Sequence, residues 1–247
     1  MPRGDSVRDR LAEEGITPDA FRTQEESWTK LTPESRGALR QLTTRSARSG
    51  KLSPLGYNLT ISHQHRFVWY RVAKVATRTI LSHFATHGVT LDVSHAMRMR
   101  YPTALFDDYF KFAFVRHPLD RFISAWRNKV VLNNYFGFDD DMLEHMRQIE
   151  NFARWTAQQD LSALGDVDHH LALQTRLIDL NHVDFLGRLE TFDDDFAAVC
   201  TRIGVPASPP DPRNQTSPHG VGRETVSDEL TSIVAEMYRR DYQVFGY

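Results

Sequence analysis

The sequence predicts an α/β fold, with a central parallel β-sheet flanked by helices and a helical extension at the N-terminus. Segments with the apolar character of strands lie at 66–72, 111–116 and 183–187. They alternate with segments whose apolar residues recur at helical spacing, and this alternation is typical of a parallel sheet covered on both faces. The first 55 of the 247 residues show helical patterns alone. We therefore expect an extension over residues 1–55 and a larger domain over residues 56–247.

The extension is predicted to hold three polar helices, over residues 5–14, 18–30 and 32–48. The third begins with Thr32, an N-capping residue, followed by a proline at the first helical position, where the missing N–H costs nothing. A stretch rich in glycine, serine and proline then interrupts regular structure over residues 49–56. The larger domain begins after this stretch.

The larger domain opens with a predicted β-hairpin whose strands are 59–62 and 65–72. A helix follows over residues 77–86, with apolar residues on one face and Gly88 as its C-terminal stop. A strand is predicted over residues 111–116, followed by helices over 117–132, 139–158 and 168–179. A short strand follows over 183–187. Two further helices begin at residues 193 and 227, and Ser227 caps the second of them.

Composition excludes several classes of protein. The net charge is −2, from 30 Lys and Arg against 32 Asp and Glu, so the chain as a whole shows no bias toward nucleic acid. The single cysteine, Cys200, excludes an internal disulfide and a zinc finger. The sequence has no run of 18 apolar residues and no apolar stretch of a signal peptide near its start. We therefore expect a cytoplasmic protein without a membrane span.

The charges are unevenly distributed along the chain. No carboxylate occurs in the 57 residues between Glu34 and Asp92, whereas nine lysines and arginines lie there. Such a stretch predicts a region that meets an anion. Its first part, residues 36–51, is equally compatible with a solvated basic helix, so we expect the anion site toward its end.

Two strand-to-helix junctions have the layout of an anion site. In an open parallel sheet, ligands bind beyond the carboxyl ends of the strands, where helix N-termini direct backbone N–H groups at an anion. At the first junction a strand runs into a loop that holds Lys74, small residues and two threonines. At the second, a strand runs into Arg116 and a helix on which Arg121, Ser124 and Asn128 form one polar stripe. The pattern predicts a phosphate binder with two sites.

The sequence does not contain the loop of a nucleotide-hydrolysing enzyme. That loop would need the pattern G-x-x-x-x-G-K-[ST] after a strand. The Gly-Lys pair of this chain, Gly50-Lys51, is followed by Leu52 and follows no predicted strand. A kinase-like nucleotide phosphotransferase remains as one alternative, and a non-catalytic module that binds a nucleotide or a glycan remains as another.

Both junctions resemble motifs of the PAPS-dependent sulfotransferases, in the branch that modifies heparan, chondroitin and related carbohydrates. The segment RVAKVATRTI (71–80) is similar to the 5′-phosphosulfate loop of that family. The segment FVRHPLDRFISAWRNK (114–129) is similar to its 3′-phosphate motif, of pattern F-V-R-x-P-x-x-R-x-x-S-A-x-x-x-K. The similarity continues through VDFLGRLETFDDDF (183–196) to the C-terminal tail.

Two further positions match the family, and two positions depart from its usual residues. His170 and Gln174 match a histidine and a glutamine that the family spaces in the same way. Ala73 stands where a proline usually precedes the loop lysine, and Ala76 stands where a glycine is frequent. Alanine also occurs at these positions in the family, so the loop is still expected to close on its ligand.

The resemblance implies a P-loop-NTPase-like sulfotransferase fold, with residues 56–247 as the catalytic domain. It implies transfer of the sulfuryl group of 3′-phosphoadenosine-5′-phosphosulfate (PAPS), the co-substrate, to an acceptor hydroxyl of a carbohydrate or small molecule. No metal is expected, because protein cations replace it. Lys74 would stabilise charge on the leaving phosphate, and Arg116 with Ser124 would hold the 3′-phosphate. The implied donor-binding residues are Lys74, Val75, Ala76, Thr77, Arg78, Thr79, Arg116 and Ser124.

A hydroxyl nucleophile needs a base, and three residues are candidates. His95 lies between the two motifs, where the glycan 2-O-sulfotransferases carry their catalytic histidine, and an unperturbed histidine pKa of about 6.5 suits the role. His170 and Glu190 are the alternatives, as base or as substrate contact. Neighbouring histidines, such as His169 beside His170, lack a third ligand and so do not predict a metal site. The sequence leaves the acceptor, its regiochemistry and the oligomeric state open.

Overall fold

The computed structural model describes residues 52–163, 167–207 and 226–247. In these residues five strands form one mixed sheet in the order β3-β1-β2-β4-β5. The strands are β1 (Tyr57–Ser62), β2 (Phe67–Tyr70), β3 (Val93–Met99), β4 (Phe110–Val115) and β5 (Phe185–Arg188). The three helices predicted before residue 49 lie outside the described residues.

The sheet confirms the predicted α/β class and the parallel pairing at its centre. β2 is parallel to β4, and β4 is parallel to β5. β1 is antiparallel to both of its neighbours, β2 and β3, which confirms the predicted hairpin. Strand β3 is not predicted by the sequence, because Ser94 and His95 interrupt its apolar alternation. Since β3 runs in the same direction as β2 and β4, the carboxyl ends of these three strands lie along one edge of the sheet.

The described helices flank this sheet. They are α1 (Thr77–Thr86), α2 (Pro118–Trp126), α3 (Asp140–Met146), α4 (Ile149–Ala157), α5 (Gln174–Leu177), α6 (Phe192–Ile203), α7 (Asp228–Met237) and α8 (Arg239–Phe245). Two predicted helix ends are confirmed. Gly88 adopts φ 65° just after α1, as expected of a glycine stop. The hydroxyl of Ser227 accepts a hydrogen bond from the backbone N–H of Leu230 and caps α7.

The helix predicted over residues 139–158 is two helices. α3 ends at Met146, whose carbonyl accepts a hydrogen bond of 3.0 Å from the indole N–H of Trp126. Gln148 then has extended backbone angles, and α4 begins after it. A contact from α2 therefore interrupts a pattern that is helical by itself.

The helix predicted over residues 168–179 is wrong for most of its length, because regular helix is confined to α5. The carbonyl oxygens of His169 and Ala172 accept hydrogen bonds from the guanidinium of Arg121. The carbonyl of Leu171 accepts one from the hydroxyl of Tyr238. These contacts with distant residues use the acceptors that a helix would need.

Strand β2 is buried on both faces, as a central strand of a covered sheet must be. On one face, the rings of Phe67 and Trp69 pack against Phe84 of α1. On the other face, the hydroxyl of Tyr70 forms a 2.7 Å hydrogen bond with that of Tyr101. This arrangement fixes β2 and the loop that follows it. Within the described segments, no helix combines the length and the apolar character needed to cross a bilayer.

Candidate active site

The loop between β2 and α1 has a backbone suited to an anion. Lys74 has φ 72° and Ala76 has φ 57°, so two non-glycine residues adopt the left-handed conformation on alternate positions. Alternation of left- and right-handed residues turns successive backbone N–H groups toward one point. Helix α1 begins directly afterwards at Thr77, and its free N-terminal N–H groups lie next to the loop. The hydroxyl of Thr77 donates back to the carbonyl of Val72 at 3.4 Å.

Positive charge converges on the side chain of Lys74. Burial, together with the charges of four nearby cations, lowers the pKa of Lys74 from 10.5 to about 8. The four cations are Lys129, Arg116, Arg78 and Arg121. The structure thus brings the lysine of the first motif together with Arg116 of the second. Like charges that converge on a partly buried lysine are unfavourable by themselves, and a ligand with several negative charges would compensate them.

Arg116 is held by its backbone at the carboxyl end of β4. Its N–H donates to the side-chain oxygen of Gln174 at 3.0 Å, and its carbonyl accepts from the amide nitrogen of the same glutamine at 2.8 Å. Gln174 is fixed in turn by Asp241, a buried carboxylate that accepts the N–H groups of Gln174 and Thr175. Burial lowers the pKa of the Arg116 guanidinium. The guanidinium therefore lies in a prepared and desolvated position.

Two other predicted residues lie near Arg116. Ser124 is half-buried on α2, two turns beyond the arginine. Glu190 accepts the backbone N–H of His117 at 2.7 Å and the hydroxyl of Tyr247 at 3.1 Å. One oxygen of Glu190 thus binds the residue before α2, and the other binds the Tyr247 hydroxyl. The geometry favours a structural task for Glu190 rather than that of a base.

Arg121, which the sequence places on a polar stripe of α2, is buried. Its side chain is 1% exposed and donates to three backbone carbonyls. One bond, of 3.1 Å, goes to Ala73 in the loop before α1. The others go to Ala172 at 2.9 Å and His169 at 3.2 Å. A single buried guanidinium thereby joins the lysine loop to the segment that carries His170.

His170 forms a hydrogen-bonded pair with Asp168. The Nδ1 atom of His170 lies 2.6 Å from Oδ1 of Asp168, and the same oxygen accepts the backbone N–H of His170 at 2.8 Å. These bonds and the nearby histidines hold the pKa of Asp168 well below its usual range, against the opposing effect of burial. Burial lowers the pKa of His170 and outweighs the opposing effect of Asp168, while Lys129 and Lys74 act in the same direction as burial. The imidazole is therefore neutral at pH 7, with Nδ1–H donated to Asp168 and Nε2 able to accept a proton.

His95 lies close to this pair. It is 8% exposed on β3, and its charge contributes to lowering the pKa of His169, which burial reduces to about 3. The same strand provides Arg98, whose guanidinium donates to the carbonyl of Val167 at 3.0 Å. The unpredicted strand β3 therefore brings His95 to the same region as the Asp168–His170 pair.

A polar cavity of about 470 Å³ opens beside the lysine loop. Its lining residues are Arg78, Asn128, Lys129, Asn133, Asn134 and Tyr135. Lys129 lies on a π-helical turn, Arg127–Val131, that continues α2, whereas the sequence predicts a continuous α-helix there. Such turns displace side chains from the regular helical positions and occur often at functional sites. The Lys129 ammonium lies 3.7 Å from the centre of the Tyr135 ring.

The group Asp168, His169 and His170 also has the spacing of a metal site, since its ligand atoms lie within 4.8 Å of one another. The sequence did not reveal Asp168 as a third ligand. Lys129 and Lys74 act on His170 with positive charge, which opposes a dication. The Asp168–His170 hydrogen bond already uses two of the atoms. In the described residues this group therefore contains a hydrogen-bonded histidine–carboxylate pair.

These features define a class of protein. A mainly parallel sheet carries an anion loop after one strand and a basic motif after the adjacent strand, and a histidine–carboxylate pair lies next to both. They define an α/β protein with a prepared site for an anionic ligand.

The comparison with known proteins gives the family. Residues 57–247 match the sulfotransferase family, so the chain belongs to that family. The chain is also similar to carbohydrate sulfotransferase 14 of Danio rerio, with 24% identity over 243 residues. That match covers 79% of this chain and 65% of the relative, slightly less than two thirds of the relative's length. No solved structure matches the chain.

Several residues of the site were not assigned a role from the sequence. Lys129 is the final lysine of the 3′-phosphate motif, but a continuous α-helix does not predict the direction of its side chain. Asp168 and Tyr135 carried no signal, because they join the site only through the turn before α5 and the segment after the π-helical turn. Arg121 belonged to the motif, but its burial could not be predicted from a polar stripe.

Proposed function

We propose that this protein is a PAPS-dependent O-sulfotransferase that acts on a hydroxyl of a carbohydrate. The observation that carries the proposal is the convergence of four cations on Lys74, in a left-handed loop at the carboxyl end of β2. Membership of the sulfotransferase family supports the reaction class. The similarity to a carbohydrate sulfotransferase supports the acceptor class.

The residues fit a donor that has phosphate groups at both ends. Lys74 and the backbone N–H groups of residues 76–79 form an anion site suited to the 5′-phosphosulfate. Arg116 and Ser124 form a second site suited to the 3′-phosphate. Arg78, Lys129 and Arg121 add positive charge around Lys74. PAPS supplies the sulfuryl group, and the protein cations supply the electrostatic stabilisation that a metal ion provides in many phosphoryl transfers.

A histidine is proposed as the base, and the geometry favours His170 over His95. Its Nδ1–H is held by Asp168, so Nε2 can take the proton of the acceptor hydroxyl, and the carboxylate stabilises the imidazolium that forms. The new bond joins the acceptor oxygen to sulfur while the bond between sulfur and the phosphate oxygen breaks. The leaving product is 3′-phosphoadenosine 5′-phosphate (PAP), whose growing charge lies against Lys74.

The direct test is incubation of the full chain with labelled PAPS and a mixed panel of carbohydrate acceptors, with products read by mass. We expect a gain of one sulfuryl group on an acceptor. Lys74→Ala and Arg116→Ala are expected to lose most of the transfer, and Arg116→Ala also to weaken PAP binding in calorimetry. PAP binding without turnover on any acceptor would favour a non-catalytic module. Transfer of phosphate from ATP instead would favour the kinase alternative.

The base is identified by comparing two variants with the same assay. His170→Ala is expected to bind PAP normally and to lose turnover by about 100-fold, the usual scale of general base catalysis. His95→Ala is expected to lose less, because the charge of His95 acts on His169, the neighbour of the proposed base. Full activity in His170→Ala together with lost activity in His95→Ala would transfer the role to His95.

A further inference from the structure

Tyr135 connects three functional groups of the site. Its hydroxyl donates to Oδ2 of Asp168 at 3.0 Å, which is the carboxylate oxygen not used by the His170 ring. Its ring centre lies 5.3 Å from that of His170, in an edge-to-face arrangement. Tyr135 also contacts Lys129, whose ammonium lies 3.7 Å from the centre of the Tyr135 ring. No motif of the sequence points to this tyrosine.

We infer that Tyr135 is a positioning residue that acts through Asp168 to set the tautomer, orientation and basicity of His170. The inference rests on the proposed function, because it assigns His170 as the base of that reaction. Tyr135 itself is not proposed to touch the reacting atoms. Its hydrogen bond occupies the second carboxylate oxygen, and this leaves the first one directed at Nδ1 of His170.

The physical argument concerns the freedom of the carboxylate. A carboxylate bonded at one oxygen can rotate, and the imidazole ring bonded to it then changes its direction. With both oxygens bonded, the carboxylate and the ring have one orientation. Burial and the charge of Asp168 raise the pKa of Tyr135 to about 12, so the hydroxyl remains a donor at every pH at which the reaction can be assayed.

The basicity of His170 depends on all the charges around it. Asp168 raises its pKa, whereas Lys129 on the π-helical turn and Lys74 on the loop before α1 lower it. His169 is its sequence neighbour and faces the same carboxylate, and His95 acts on His169 from β3. Arg98, also on β3, acts on Tyr135. Substitution of Tyr135 changes the Asp168 contribution and leaves these other charges in place.

The test compares two variants that are expected to shift the pH profile in opposite directions. In Tyr135→Phe the carboxylate loses a donor, attracts the His170 proton more strongly and moves the acid limb of kcat to higher pH, by about 0.5 unit. In Asp168→Asn the negative charge is lost, and the acid limb moves to lower pH by about 1 unit. We expect kcat to fall about tenfold in Tyr135→Phe and about 100-fold in Asp168→Asn, with PAP affinity unchanged.

The matched control is Tyr109→Phe, which removes a hydroxyl bonded to His63 next to the amino end of β4. Its pH profile is expected to equal that of the unsubstituted protein. A second readout does not need an acceptor: NMR titration of the His170 imidazole in the PAP complex, which is expected to give the same two opposite shifts. An unmoved His170 titration in Tyr135→Phe would overturn the inference. If neither the unsubstituted protein nor any variant transfers a sulfuryl group although the NMR shifts occur, the proposed function is wrong. The effect of Tyr135 on His170 through Asp168 is then still supported.

Discussion

Binding of PAP is expected to weaken as the pH rises through 8, because Lys74 loses its proton more easily in the free protein than in the complex. In the free protein, burial and four nearby cations lower the pKa of Lys74 from 10.5 to about 8. The phosphates of PAP would place negative charge beside the ammonium and return its pKa toward the ordinary value. Binding therefore takes up a proton wherever the free lysine is neutral and the bound lysine is charged.

The size of the effect follows from the two pKa values. With a pKa of about 8 in the free protein and about 10.5 in the complex, the dissociation constant of PAP is expected to rise about 30-fold between pH 7 and pH 9.5. At pH 8, half of the free lysine is neutral, so binding is expected to take up about 0.5 proton per PAP. The phosphate groups of PAP add nothing in this range, because their second pKa is about 6.

Calorimetry of PAP binding in two buffers with different ionisation enthalpies measures both quantities. Burial also lowers the pKa of Lys129, so the contribution of Lys74 needs its own control. Lys74→Arg provides it, since arginine keeps its charge throughout this range. The variant is expected to bind PAP without the break near pH 8. A flat affinity from pH 7 to 9.5 in the unsubstituted protein, with no proton uptake at pH 8, would refute the charge-convergence argument.

Three further changes test the parts that support the site. Ala76→Gly is expected to raise the free energy of unfolding by about 0.5–1 kcal/mol in urea titration, because Ala76 has φ 57°; a decrease would contradict the loop geometry. Asp241→Ala is expected to lower the free energy of unfolding by about 3 kcal/mol, because three donors of Gln174 and Thr175 lose a buried acceptor. A loss below about 1 kcal/mol would contradict this role of Asp241. Arg121→Lys is expected to lower the melting temperature and kcat together, because an ammonium does not reproduce the fork of three bonds; an unchanged kcat would separate Arg121 from the site.

The proposed donor side of the site could be located in the sequence because each of its parts is local. The left-handed loop and the helix after it are contiguous in the chain. Arg116 likewise lies directly before α2, the helix that carries Ser124. Small residues, a lysine and a strand-to-helix junction are sufficient to indicate an anion site of this kind. The structure adds that the two junctions meet, since the charge of Arg116 reaches Lys74.

The sequence names His95 and His170 as candidates for the proposed base, but it could not predict their contacts, because distant segments form them. The segment from Asp168 to Leu173 has a helical pattern, yet Arg121 and Tyr238 take its carbonyls and leave a turn. That turn directs Asp168 and His170 toward the lysine loop. His95 likewise lies in this region because it is on β3, a strand that its polar residues made unpredictable from the sequence. Sequence patterns report local preference, whereas tertiary hydrogen bonds determine the conformation of this segment.

The same electrostatics explain why the free protein is strained and why the proposed reaction would be fast. Lys74 and its neighbouring cations repel one another in a desolvated position, and Lys74 and Ala76 have backbone angles that cost energy without glycine. The packed sheet and the buried bonds of Arg121 keep these groups in place. Because Lys74, Arg116 and Arg121 are already desolvated, they need little reorganisation when charge grows on the leaving phosphate. The unfavourable energy of the free site is therefore the source of the stabilisation that we propose for the transition state.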